Sequence, residues 1–197
     1  MCKLCQTKPV YEFTNQRKLC KNCFVQYFQK KVFYSVRRFK MIKYGDVVSY
    51  ESKKDVRSVV LKKVLDLFED KSIISLVKAP SKKATKNAIA STIDSESDKI
   101  IHSLIKGKAS ELEKISPVEK KTIKPLYLFL DQEILLFAKI KKLKFLHETQ
   151  DKVPKIKKGA KGRDLKGLKI SQFVDNLEKK HPEIKRAIIN SYLELYN

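Results

Sequence analysis

Negative charge is scarce in this chain. Among 197 residues, Asp and Glu number 22 against 44 Lys and Arg, leaving a formal net charge of +22. Such an excess repels itself unless an anionic partner screens it, and nucleic acid is the commonest partner of that kind. Solvated lysine faces account for part of the excess. Long apolar runs are also missing. None reaches the ~18 residues of a membrane span, so no membrane partner is expected. The opening "MCKLCQTK" has no apolar stretch of the kind a secretory leader needs, so a cytoplasmic location is expected. No internal repeat is evident, and no cysteine follows Cys23.

The four cysteines are all in the first 23 residues, as C-x2-C-x14-C-x2-C: Cys2, Cys5, Cys20 and Cys23. Two residues between cysteines let both thiolates reach one ion, and two such pairs complete a closed tetrahedral site. A structural zinc is expected there. A four-cysteine site can also hold an iron–sulfur cluster, and spacing alone leaves that alternative open. The second pair runs directly into a helix, whose N-terminal dipole favours thiolate charge.

That helix is expected in "CFVQYFQKKVFYSVRRFKMI", where Phe24, Phe28, Val32, Val36 and Phe39 recur at helical spacing. Lys30, Lys31, Arg37, Arg38 and Lys40 lie among and opposite them and are the candidate RNA-binding residues. "KYGD" breaks the helix, a strand follows over Val47–Tyr50, and "DVRSVVLKKVLDLF" reads as an amphipathic helix. "SIISLV" is a second strand. "STIDSESDKIIHSLIKGK" is a helix capped by Asp94 or Ser95, with Ile100, Ile101, Leu104 and Ile105 facing inward and Gly107 ending it. "TIKPLYLFL" is strand-like, and "DQEILLFAKIKKLKFL" is a helix starting at Asp131. A lysine- and glycine-rich loop spans 151–169, and two helices follow, the second opened by Pro182. The alternation implies an α/β sheet. Four segments are expected: a zinc module with its basic helix (1–43), an α/β domain (44–150), the basic loop (151–169) and a C-terminal helix pair (170–197).

The scattered histidines, His102, His147 and His181, read as surface or packing residues. Asp94, Glu96 and Asp98 read as helix-dipole acids, and Glu133 as a structural first-turn acid. No catalytic residue is assigned.

"CKLC…LCKNCFVQYFQKKV" followed by "RRFKMIKYGD" resembles the start of the tRNA 2-thiolation proteins, which belong to the PP-loop ATPase superfamily. "HSLIKGKASEL", "TIKPLYLFLDQEILLFAKIKKLKF" and "FVDNLEKKHPEIKRAIINSYLEL" resemble later stretches of the same family, in the same order. The resemblance implies a reduced PP-loop ATPase-like (adenine nucleotide alpha hydrolase-like) α/β domain behind the zinc module. In active members the turn after the first strand reads S-G-G-x-D-S, and its glycines let backbone N–H groups wrap a pyrophosphate. Here the matching stretch is "YESKKDV". Ser52, Lys53, Lys54 and Asp55 form a degenerate nucleotide loop without either glycine, so ATP is not expected in this chain. The central sulfur-handling cysteines of active members have no counterpart.

This pattern resembles the non-catalytic cytoplasmic tRNA 2-thiolation protein 2 family. That resemblance implies a partner of a catalytic tRNA 2-thiolation subunit in a sulfurtransferase complex, with tRNA bound and a ubiquitin-like sulfur carrier nearby. The chain is then not an enzyme on its own. Two rivals stand beside it: a divergent PP-loop thiolase acting through Lys53, Lys54 and Asp55, and an unrelated small zinc-containing RNA-binding or ribosome-associated protein.

Overall fold

The computed structural model describes residues 1–146 and 176–196. The expected basic loop, His147 and the first residues of the expected C-terminal helix pair lie outside the described residues. The chain divides into two compact units: Met1–Thr92 with Pro117–Leu146, and Ile93–Ser116 with His147–Asn197.

The first unit begins with a short antiparallel pair, β1 (Tyr11–Glu12) and β2 (Lys18–Leu19), and then the long helix α1 (Lys21–Arg38). A mostly parallel five-stranded sheet follows: β3 (Asp46–Tyr50), β4 (Ile74–Lys78), β5 (Lys86–Ala88), β6 (Val118–Glu119) and β7 (Thr122–Ile123), in the order β4-β3-β5-β7-β6. β3 pairs in parallel with both β4 and β5, so the strand order reverses beside its carboxyl end. α2 (Val56–Glu69) links β3 to β4, and α4 (Asp131–Ile140) follows β7. Open α/β sheets bind ligands at such a reversal point.

The apolar face of α1 is filled as its spacing predicts: Phe24, Phe28 and Val32 are wholly buried, and Val36 nearly so. Phe28 stacks on Phe137 of α4 with ring centroids 4.0 Å apart and meets Phe129 at 4.3 Å. Truncating such a residue costs about 3–5 kcal/mol. Phe33 packs edge-on against Phe68 of α2 at 5.0 Å.

The second unit holds α3 (Ile93–Ile105), a 3-10 helix (Ala109–Ile115) and α5 (Ile184–Tyr196), with residues 176–180 also helical. Lys185 on α5 bonds Asp94 at 2.9 Å and Glu178 at 2.7 Å. Tyr192 donates its hydroxyl to the Leu112 carbonyl at 2.7 Å.

Several elements differ from the expectation. α3 starts at Ile93, so Asp94 and Ser95 lie in its first turn and do not cap it. Leu104 and Ile105 are exposed, while Ile100 is buried. "TIKPLYLFL" gives only the two residues of β7 before turning: Lys124 N–H still reaches the Pro117 carbonyl beside β6, and then Tyr127 and Phe129 N–H bond back to the Lys124 and Leu126 carbonyls. α4 stops at Ile140: Lys142 takes a left-handed backbone (φ 53), and Leu143 N–H reaches back to the Ala138 carbonyl. This is the Schellman closure, with lysine where glycine is usual. Lys40 ends α1 and Ser72 ends α2 in the same way, and Gly107 ends α3 as expected. No described helix is long and apolar enough to cross a membrane.

Candidate metal centre and nucleic-acid face

The four cysteines converge. Their Sγ atoms all lie within 4.8 Å of one another, with Cys5 to Cys20 at 3.2 Å and Cys5 to Cys23 at 3.5 Å. Zn–S bonds of 2.3 Å in a tetrahedron set sulfurs about 3.8 Å apart, so the cluster has the donor set and spacing of a structural zinc site. A four-iron cube puts each thiolate on a different iron and spreads the sulfurs wider. The tight grouping therefore fits a single ion better.

The local chain builds this site from both flanks of the β1–β2 pair. Gln6 takes a left-handed backbone (φ 57) and donates to the Cys2 carbonyl, which curls the first pair. Lys3 and Val10 bond Lys18 and Leu19, holding the first pair against the second. Cys20 is the N-cap of α1, and Cys23 lies in its first turn. The Thr7 hydroxyl is 3.1 Å from Cys5 Sγ. Hydrogen bonding, from the Thr7 side chain first, holds the Cys20 thiol down at about 6. Bonding to Cys5 pushes the Cys23 thiol up to about 12.

The degenerate loop lies at the carboxyl end of β3. None of residues 51–55 has a positive φ, so the turn lacks the left-handed position that glycine favours. Lys53 is paired with Glu51. The Asp55 carboxylate caps α2 by accepting from Ser58 N–H at 3.0 Å, and the Lys54 carbonyl accepts from Leu146 N–H. Ser52, Lys53 and Lys54 are exposed. The hollow beside them measures about 140 Å³ and is lined by Tyr50, Glu51, Ser52, Lys53, Ser58, Val59 and Lys62.

Four of the five basic candidates on and after α1 are exposed: Lys30, Arg37, Arg38 and Lys40. Arg38 donates to the Tyr34 hydroxyl at 3.1 Å, and Lys40 supplies the left-handed residue that closes the helix. Lys31 is placed otherwise. Its ammonium bonds both carboxylate oxygens of buried Glu133, at 3.1 and 3.0 Å, and lies over the Phe129 ring. Glu133 also accepts from Leu130 N–H at 2.9 Å and from the Tyr27 hydroxyl at 3.2 Å, so it is the structural acid expected. Asp94 and Glu96 are occupied by Lys185 and Lys99, an ion-pair role the sequence did not reveal.

The sequence also gave no notice of Arg17, Gln26, Tyr27 and Tyr34, which line a groove of about 480 Å³ beside Cys23. The signal available was the seven-residue spacing of the two tyrosines.

No protein-family profile matches the chain, and no curated protein matches it. Among solved structures it is similar to the U34-tRNA thiolase NcsA from Methanococcus maripaludis with its [4Fe-4S] cluster. The TM-score is 0.72 at 19% identity, over 99% of this chain and 86% of that one. This chain has a PP-loop ATPase-like fold. Its four-cysteine cluster, capable of holding a metal, stands at the amino-terminal side of that domain.

Proposed function

We propose that this chain is a non-catalytic, cytoplasmic subunit of a complex that 2-thiolates the wobble uridine of tRNA, binding the tRNA and supporting a catalytic partner of related fold. The observation that carries this reading is the turn after β3. The fold is shared with a U34-tRNA thiolase, yet the turn has no glycine and no left-handed residue, and its carboxylate is committed to capping α2. Side chains at both glycine positions of the turn disfavour close approach of the ATP phosphates. A fold kept without its nucleotide site suits a subunit that positions RNA and partner.

In this reading Cys2, Cys5, Cys20 and Cys23 hold a structural zinc, which fixes the β1–β2 pair to the start of α1. Lys30, Arg37, Arg38 and Lys40 face tRNA phosphates, contacts that set affinity and register while leaving base choice to others. A ubiquitin-like sulfur carrier would serve the catalytic partner.

The test is wobble 2-thiouridine in cells depleted of this protein, read as a mobility shift on a mercury-containing gel. The thiolated band should vanish and return with the wild type and with a variant carrying Lys53→Ala and Lys54→Ala. An undiminished band on depletion overturns the proposal. Rescue by wild type alone would instead favour a divergent thiolase using the loop.

A further inference from the structure

Along α1, Cys23, Tyr27, Lys30, Tyr34 and Arg37 recur at steps of three and four, so they share one face. The groove on that face is walled on its other side by Leu4 and Arg17 of the cysteine module. Among the described residues, no acidic side chain lines it. The Arg17 guanidinium carbon lies 4.2 Å from the Phe13 ring centroid and 5.3 Å from that of Tyr27. Its buried Nε has no hydrogen-bond partner among the described residues. Tyr34 leaves 45% of its surface in solvent, and Leu4 leaves 68%. A volume of about 480 Å³ falls within the roughly 300–1,000 Å³ of small-ligand sites.

An exposed ring beside the Lys30 ammonium and the Arg17 guanidinium, in one groove, matches one ligand chemistry: a flat base carried on a phosphate chain. Single-stranded sites of this kind combine an aromatic platform with a basic track. We propose that this groove is a single-stranded RNA subsite. One unpaired nucleobase stacks on Tyr34, and Arg17 and Lys30 take the adjoining phosphates. A duplex cannot use it, because its bases are already stacked on each other and turned inward. The proposal rests on the RNA-binding part of the reading above and narrows it to an unpaired segment.

The experiment compares binding of the full zinc-loaded chain to a fluorescein-labelled single-stranded oligouridine and to a blunt RNA duplex of equal length. Tyr34→Ala should weaken the single strand about tenfold and leave the duplex unchanged. Tyr34→Phe keeps the ring, loses only the bond from Arg38, and should bind as wild type. Arg17→Met and Lys30→Met should each lower the salt dependence of single-strand binding by about one phosphate contact. Circular dichroism checks that each variant folds. The proposal falls if Tyr34→Ala leaves single-strand affinity unchanged, if it weakens single strand and duplex alike, or if the wild type binds no single strand. The two readings fail separately. Lost cellular thiolation with no Tyr34 effect retires the groove and keeps the subunit. A Tyr34 effect with thiolation intact keeps the groove and retires the subunit.

Discussion

Lys31 Nζ sits 3.0 Å from Glu133 Oε2 and ties the middle of α1 to the first turn of α4. The carboxylate is wholly buried and the lysine side chain is 13% exposed. Removing one member of such a pair leaves an uncompensated buried charge, at a cost of about 3–5 kcal/mol. Lys31→Met should therefore lower stability by about 3 kcal/mol in urea unfolding, while the double variant Lys31→Met with Glu133→Gln recovers a large part. Lys30→Met, one position away, should leave the midpoint unchanged within about 0.5 kcal/mol and act on RNA affinity alone.

The metal centre makes a second prediction. Purified protein should be colourless and carry a single zinc by elemental analysis. Serine at any one of Cys2, Cys5, Cys20 or Cys23 should lower zinc retention during dialysis against a chelator. Because the ligands are thiolates, zinc should also be lost as pH falls through the acid range. A brown protein absorbing near 400 nm would indicate an iron–sulfur cluster instead.

At the degenerate loop, millimolar ATP with magnesium should not raise the melting temperature of the isolated chain, since only a ligand of the folded state stabilises it. Asp55→Ala should destabilise by about 1 kcal/mol through the lost N-cap of α2. That loss should be the same with and without nucleotide.

In the second unit, burial pushes the Lys185 ammonium down, but Glu178 and Asp94 push it up further, and the net shift is upward from 10.5. A raised lysine contributes stability that is fully present below its unfolded value and is lost as pH rises through the folded one. Lys185→Met should thus cost about 3 kcal/mol from pH 7 to about 10. The gap between wild type and variant should narrow only above about pH 10.5. Chemical unfolding at a series of pH values reads this directly.

The helix ends explain much of what the sequence hid. The cysteine spacing, the period of Phe24, Phe28 and Val32, and the β3–turn–α2 unit were legible because each is a local pattern. The stops of α1 and α4 were less so, because lysine takes the left-handed position at Lys40 and Lys142. Leu143 and Phe145 continue the helical spacing of α4, yet they pack on the core from beyond its end. β5 reads only "KNA", with no alternation, and exists because β3 and β7 flank it. The metal cluster was visible in the spacing, but the groove beside it depends on Arg17 folding back over Phe13 and Tyr27, a tertiary contact.

Those left-handed stops can be tested. A left-handed backbone costs a residue with a side chain about 1–2 kcal/mol, and glycine nothing comparable. Ser72→Gly and Lys142→Gly should each raise stability by about 0.5–1 kcal/mol, discounted for the looser unfolded chain. Unchanged or lower midpoints would mean that the side chains hold compensating contacts.

The ligand set of the metal centre spans only Cys2 to Cys23, whereas pairing β5 with β7 must bring Lys86–Ala88 to Thr122–Ile123. Closing a short loop is fast and asks nothing of the rest of the chain. The availability of metal, and not the assembly of the sheet, would then govern when the amino-terminal end of α1 becomes fixed. A cell short of zinc would accumulate a protein whose sheet is sound and whose first long helix is loose at its start.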